Sequence, residues 1–251
     1  MSVVMPSAED QADLFARRLA AISDAGMRIA YLRYSLLEMS AAEVADLLVV
    51  AHAYAEAKST RHSALLAALS LALAQPSCAA LRAEVAVLLR AREERQLARG
   101  LSQGPNPDDE GAQRVPDFGM GRPVTLGERK SLARKNDREW IARVIRDPHP
   151  QVMRILLLNP RVTESDVVRL CARRPVASDV LREVFLSARW IVRYPVKVAL
   201  VLNPYTPLDV ALQLAPLLRA QDLKRVLDAS DLPTELHVAC RRSSTRPGTL
   251  H

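Results

Sequence analysis

The chain has 251 residues, enough to bury a sizeable hydrophobic core as one long domain or two short ones. Its 8 glycines and 4% aromatic residues are few beside the abundant Ala, Leu, Val and Arg, a composition that favours an all-α fold and excludes one built mainly of strands. The net charge of +7 is uneven, because residues 1–120 carry 12 Lys and Arg against 15 Asp and Glu (net −3), whereas residues 121–251 carry 23 against 13 (net +10).

Residues 1–99 are predicted to form a small bundle of four or five helices joined by short turns. Ser40 and Glu43 form a Ser-x-x-Glu capping box at the start of one of them. The first residues lack a basic segment followed by an apolar one, so we expect no secretory signal. No apolar run reaches the ~20 residues that span a bilayer, so we also expect no membrane association.

The three cysteines predict the redox environment of the protein. Cys78, Cys171 and Cys240 are far apart, odd in number and each set among apolar neighbours. Buried reduced thiols are the favoured interpretation over a disulfide or a metal site. The expected location is therefore the reducing cytoplasm.

Residues 100–124 interrupt the helical pattern. They contain five of the eight glycines, four prolines and the acidic cluster Asp108–Glu110. This composition predicts a flexible linker and a domain boundary. Phe118 lies within it, either as an exposed docking group or, in the favoured interpretation, packed on a neighbouring helix.

A short sequence motif occurs twice in the second half of the chain, over Asn159–Asp166 and Asn203–Asp209. Each copy follows an apolar run and precedes a new helical pattern. Asn before Pro ends the first helix, because Pro disfavours helical geometry in the residue before it. Thr163 and Thr206 are then predicted to cap the next helices, with Pro207 at the first helical position.

The apolar runs before these turns predict how the helices pack. Ile155–Leu158 and Val198–Leu202 have no polar face, which predicts helices enclosed by neighbouring repeats. Pro175, Pro204 and Pro233 follow one another at intervals of 29 residues. The pattern indicates an irregular helical repeat.

The Asn-Pro-Tyr-Thr-Pro turn at Asn203–Pro207 resembles the turn of HEAT-like α-helical repeats of the leucine-rich-repeat-variant type. Asn159–Thr163 resembles it with one extra residue. This resemblance covers residues 125–242 and implies a right-handed α-solenoid of short helices there. Residues 243–251, which follow it, are predicted to form a frayed tail. Such repeats usually bind other macromolecules and share no catalytic residues.

The motifs of common active sites are missing from the sequence. It contains no glycine-rich phosphate loop, His-Glu-x-x-His, Cys-x-x-Cys or Gly-x-Ser-x-Gly pattern, and its five histidines are scattered. We therefore expect no catalytic residues, no bound metal and no cofactor. Trp140 and Trp190 lie on apolar stripes and are interpreted as core anchors rather than base-stacking groups. Asp147 and Asp166 lie at helix ends and are interpreted as turn and cap residues.

The second half is the basic one, and its cations are the candidate functional residues. The candidate partner-binding residues are Arg129, Lys130, Arg134, Lys135, Arg138, Arg169, Arg173 and Arg174. The leading hypothesis is a non-enzymatic adaptor or scaffold that binds a protein partner with an acidic surface through them. The alternative is a nucleic-acid-binding helical repeat module that uses the same residues on phosphates.

Overall fold

The computed structural model describes residues 7–102 and 114–245, and every regular element in these residues is a helix. The α-helices of the described residues are α1 (Ala8–Ala21), α2 (Ala25–Leu37), α3 (Ala41–Glu56), α4 (Thr60–Leu73), α5 (Ala79–Ala91), α6 (Arg95–Leu101), α7 (Leu126–Ala133), α8 (Arg138–Val144), α9 (Pro150–Leu158), α10 (Glu164–Ala172), α11 (Ser178–Leu186), α12 (Ala188–Ile191), α13 (Tyr194–Val201), α14 (Leu208–Leu214), α15 (Ala220–Asp228) and α16 (Thr234–Thr245). Two 3₁₀ helices, Pro76–Cys78 and Ala215–Leu217, accompany them. The predicted all-α fold is confirmed.

The chain divides into two compact units, with the divisions after Gly104 and after Pro207. Of the described residues, 7–102 and 208–245 belong to the first unit and 114–207 to the second. This division differs from the predicted one, which placed all of residues 125–242 in a single repeat domain. Helices α14, α15 and α16 belong instead with the N-terminal helices.

Helix α3 is central to the first unit, where it packs against α1, α4 and α5. The predicted capping box at its start is confirmed, since Ser40 accepts a hydrogen bond from the backbone N–H of Glu43 and the Glu43 carboxylate accepts from that of Ser40. Leu47 and Leu48 are among the side chains that α3 buries in the core. Local capping thus sets where α3 begins, and its apolar face sets how it packs.

Specific hydrogen bonds join the C-terminal helices to the N-terminal ones within the first unit. The side-chain amide of Gln213 donates to the carbonyl oxygen of Gly100 at 2.6 Å. A Cβ on Gly100 would lie 3.2 Å from Cγ of Gln213, so glycine permits this close approach. The ammonium of Lys58 donates to the carbonyl oxygen of Leu218 at 2.9 Å. Composition cannot report such long-range contacts, which is why the predicted boundary was wrong for α14–α16.

The predicted tail over residues 243–251 is also wrong at its start. Helix α16 continues to Thr245, and Ser243 is buried. The Ser243 hydroxyl donates to Oε1 of Glu56 at 3.3 Å. Residues 246–251 lie outside the described part of the chain.

In the second unit, helices that are two or three apart in the chain pack side by side. Helix α7 packs against α9, α9 packs against α11, and α10 packs against α13. Two ion pairs join helices across similar separations in sequence, 28 residues for Arg138 of α8 with Asp166 of α10 and 29 residues for Arg154 of α9 with Glu183 of α11. These separations agree, within one residue, with the proline interval in the sequence.

Two buried asparagines bridge neighbouring helices of the second unit in the same way. The Asn159 side-chain amide, just after α9, donates to the carbonyl oxygens of Ala133 and Lys135 at the end of α7, both at 2.9 Å. Asn203, just after α13, donates to those of Cys171 and Arg173 at the end of α10, at 2.6 and 2.9 Å. Each amide satisfies helix-terminal carbonyls that would otherwise lack partners. The Asn-Pro turn is therefore both a helix stop and a clamp between helices.

The two copies of the sequence motif differ in the hydrogen bonds that their threonines make. Thr163 forms a full capping box with Asp166, as predicted. The Thr206 hydroxyl donates backwards to the carbonyl oxygen of Leu200 at 2.6 Å, which ties it to the preceding helix α13. Helix α14 begins at Leu208, so Pro207 precedes the helix instead of occupying its first position.

The apolar runs and the thiols were predicted to be buried. Leu156 and Leu157 are buried, but Leu158 is 71% exposed at the end of α9, so the first run is not fully enclosed. The three cysteines are buried and free, as predicted; they are Cys78, Cys171 and Cys240. Burial raises the pKa of the Cys171 thiol and raises that of Cys240 to about 11.

The described part of the predicted linker, residues 114–124, is packed onto α8. Phe118 is 2% exposed, which confirms packing over an exposed docking role. Arg143 of α8 donates to the carbonyl oxygen of Phe118 at 2.9 Å, and Asp117 accepts from the N–H of Gly119 at 2.7 Å. Gly119 has a φ of +70° and lies against the Arg143 guanidinium, a place where a side chain would be strained. Residues 103–113 of the predicted linker lie outside the described residues.

Candidate functional site

Arg129 does not belong to an accessible basic surface, which corrects the sequence-based assignment. It is buried, and its Nη1 lies 2.8 Å from Oδ1 and 2.9 Å from Oδ2 of Asp147, which is 0% exposed. Asp147 also accepts a hydrogen bond from the N–H of His149 at 2.9 Å. This arginine has a structural role, because without it the buried carboxylate of Asp147 would have no cation to pair with.

Arg138 is exposed but already has an acidic partner in the second unit. Its guanidinium makes a two-pronged contact with Asp166, at 2.7 and 2.9 Å, and also donates to the carbonyl oxygen of Arg161 at 3.0 Å. This guanidinium, followed by the capping bonds from Thr163, holds the pKa of Asp166 well below its ordinary value. Arg138 therefore joins α8 to the start of α10.

Arg173 and Arg174 are bound to backbone carbonyls. Arg173 donates to the carbonyl oxygen of Ile145 at 3.2 Å, and Arg174 donates to that of Leu202 at 2.6 Å. Both contacts complement the partial negative charge at the end of a helix. These two arginines stabilise the second unit whatever else they bind.

The other four candidate cations make fewer contacts that stabilise the fold. Lys130 contacts the amide oxygen of Gln151, and Arg134 donates to the carbonyl oxygen of Lys130 in its own helix at 3.2 Å. Lys135 is exposed and lies over an indole ring, while Arg169 is exposed and has no ion-pair partner among the described residues. The structure therefore separates the eight predicted residues into four structural cations and four available ones.

Trp140 is a surface residue rather than the predicted core anchor. The residue is partly exposed and has two cations near its ring, with Nζ of Lys135 4.8 Å and Cζ of Arg143 5.4 Å from the centroid. Trp190 is buried, as predicted, and its Nε1–H donates to the carbonyl oxygen of Leu157 at 2.8 Å. The two tryptophans thus differ in burial, although Trp190 also has a cation beside its ring, with Cζ of Arg189 4.4 Å from the centroid.

A groove beside α8 brings together cations that the sequence analysis did not group. Its volume is about 790 Å³. The lining residues of this arginine groove are Arg114, Val115, Pro116, Asp117, Glu139, Ala142, Arg143 and Arg146. Arg143 and Arg146 face it together because residues three apart share one side of a helical turn.

The arginine groove holds more positive than negative charge. Asp117 and Glu139 oppose three arginines, and neither Arg114 nor Arg146 has an ion-pair partner among the described residues. Burial and then the nearby charge of Arg146 lower the pKa of Arg173, a cation that is near Arg146 but is not among the lining residues of the groove. An anionic group bound beside Arg146 in the groove would offset this repulsion.

Sequence reasoning missed the groove for identifiable reasons. The sequence places Arg114 in a predicted linker, and nothing in the local sequence shows that this segment packs on α8. The spacing of Arg143 and Arg146 was a usable signal, but it was masked by many other arginines of equal appearance. Only the packing distinguishes cations with acidic partners from those without.

The described residues contain neither a cluster of metal ligands nor a single membrane-spanning helix. No group of three or more His, Cys, Asp or Glu in residues 7–102 and 114–245 is placed to hold a metal ion. No single helix in that part of the chain is both long and apolar enough to cross a membrane. Thr60–Leu73 and Pro76–Ala91 reach such a length and hydropathy only as a pair bent by 86°.

No protein-family model, curated protein or solved structure matches this chain. Its function therefore has to be argued from its own residues.

Proposed function

We propose that the second unit is a right-handed α-solenoid of short HEAT-like repeats and acts as a non-enzymatic adaptor. In this proposal an acidic segment of a protein partner binds in the arginine groove. The repeat architecture is supported by the 28- and 29-residue separations between bonded side chains and by the matching roles of Asn159 and Asn203.

The observation that carries the proposal is the position of Arg146. It lines the groove without an acidic partner in the described residues and close enough to Arg173 to lower its pKa. Most arginines around it are matched to carboxylates or carbonyls, including Arg129, Arg138 and Arg154. A cation that lines a groove without an acidic partner, next to a second cation, favours an anionic ligand.

Two features favour a protein ligand over nucleic acid. Asp117 and Glu139 line the same groove and would repel a continuous phosphate backbone. Val115 and Ala142 add apolar surface to it, and Val115 is 42% exposed. Mixed charges with apolar contacts are typical of protein interfaces.

Site-specific photo-crosslinking tests this function in the full-length protein. A photoreactive amino acid at position 115 should capture a protein in cells, and one at position 192 should not, since Val192 is 48% exposed but lies outside the groove. Charge reversal of Arg114 and Arg146 together should abolish the captured species. Reversal of Arg134 and Arg169, which are exposed elsewhere on the unit, should leave it unchanged.

Capture of nucleic acid at position 115 would support the alternative function instead. In that case affinity for nucleic acid should fall steeply with salt, with a log–log slope of about −0.7 to −0.9 for each phosphate contacted. Equal loss of capture in both double variants would contradict a role for the groove.

A further inference from the structure

Helix α2, at the surface of the first unit, has two apolar faces. Ile29, Leu32 and Leu36 point into the core, and α2 packs against α4 on that side. On the other side Met27 is 64% exposed and Tyr34 is 70% exposed. Large apolar side chains gathered on an exposed helix face mark an interaction surface more often than single exposed ones do.

The outward residues have the spacing of a helix-pairing seam. The exposed seam consists of Met27, Ala30, Tyr34 and Leu37. Their intervals of three, four and three residues are those of the two core positions in a two-stranded coiled coil. The inward face does not use these residues, so the seam is available to another helix.

The charges beside the seam indicate which helix could pair with it. Arg33 lies immediately before Tyr34, and Glu38 lies immediately after Leu37, so the two flank the seam on opposite sides. Both are exposed, and neither side chain has an ion-pair partner among the described residues. In a parallel helix pair, the residue before one core position faces the residue five positions later on the other helix.

Applied to two copies of α2, this geometry places Arg33 of each copy opposite Glu38 of the other. Two-fold symmetry forms the contact twice. An antiparallel pair would instead bring Arg33 of one copy towards Arg33 of the other, with like charges opposed. The seam is therefore charge-complementary to itself in one orientation.

We propose that the protein forms a symmetric homodimer in which the α2 helices of two copies pair in parallel along this seam. The inference is independent of the proposed adaptor function, because it uses residues of the first unit and none of the arginine groove.

Sedimentation equilibrium of the full-length protein over a concentration series tests the pairing. The wild type should show a monomer–dimer equilibrium. Tyr34→Glu should weaken dimerisation at least about thirty-fold, because it places a charge at the centre of the seam. Val87→Glu is the matched control, since Val87 is 58% exposed on α5, and it should leave the dissociation constant unchanged. A wild type that stays monomeric, or a dimer that survives Tyr34→Glu, would overturn the proposal.

Charge reversal tests the orientation. Arg33→Glu alone and Glu38→Arg alone should each weaken self-association several-fold, because like charges then face each other twice. An equimolar mixture of the two variants should form a heterodimer at least as stable as the wild-type dimer, since both contacts regain opposite charges. Circular dichroism of each variant verifies that the fold is retained. If the mixture associates no better than either variant alone, parallel pairing is refuted.

Discussion

Asn159 and Asn203 make the same set of hydrogen bonds at equivalent places in the second unit. Each donates twice from its side-chain amide to carbonyl oxygens at the end of another helix, and each accepts from a backbone N–H two residues later. Both are buried, with 4% and 2% of their surface exposed. The sequence motif therefore occurs twice because, at each place, a polar side chain must satisfy carbonyls inside the packed unit.

Replacing Asn159 by Asp should destabilise the protein by about 2–3 kcal/mol, because the carboxylate has the same size but cannot donate to the two carbonyls. Asn203→Asp should have an effect of similar size. Urea unfolding at neutral pH measures the free energy of unfolding, and the exposed Asn136 gives the control variant Asn136→Asp, with a change within about 0.5 kcal/mol. Equal stability of Asn159→Asp and the control would show that the clamp contributes nothing.

Arg129→Met should cost about 3–5 kcal/mol, because it leaves the carboxylate of Asp147 buried without its cation. The double variant Arg129→Met with Asp147→Leu should be more stable than the single one, since no unpaired charge remains. Arg134→Met removes an exposed cation at the C-terminal end of the same helix and should be nearly neutral. Thermal unfolding of the three variants checks this order, and a neutral Arg129→Met would place the residue at the surface after all.

The sequence predicted those features of the fold that depend on residues close together in the chain. The capping boxes at Ser40 and Thr163 and the helix stops at the Asn-Pro turns are of this kind. What it did not predict depends on distant partners. Arg129 resembles any surface arginine until Asp147 packs against it, and the return of α14 to the first unit depends on contacts such as Gln213 with Gly100.

Acid should destabilise the second unit through the contact between Arg138 and Asp166. The native pKa of Asp166 lies below the value of about 3.9 of an unfolded Asp, so the unfolded state binds more protons in acid. The stability from this contact is fully present above that value and is lost as pH falls toward the native pKa. Asp166→Asn should therefore flatten the fall of the melting temperature below about pH 4. Asp228→Asn alters an exposed carboxylate and should leave the slope as in the wild type. An unchanged slope in Asp166→Asn would contradict the assignment.

The two tryptophans should respond differently to charged quenchers of fluorescence. Trp140 is partly exposed with Lys135 and Arg143 near its ring, so these cations should concentrate iodide around it and exclude caesium. Trp190→Phe, which retains only Trp140 as a tryptophan, should then show strong quenching by iodide and weak quenching by caesium, with the difference reduced by added salt. Trp140→Phe retains the buried Trp190 and should resist both ions. Lys135→Glu in the Trp190→Phe background should reduce the preference for iodide, because it reverses one of the two charges beside the ring. Equal quenching of Trp140 by both ions would mean that the cations do not set the potential at this surface.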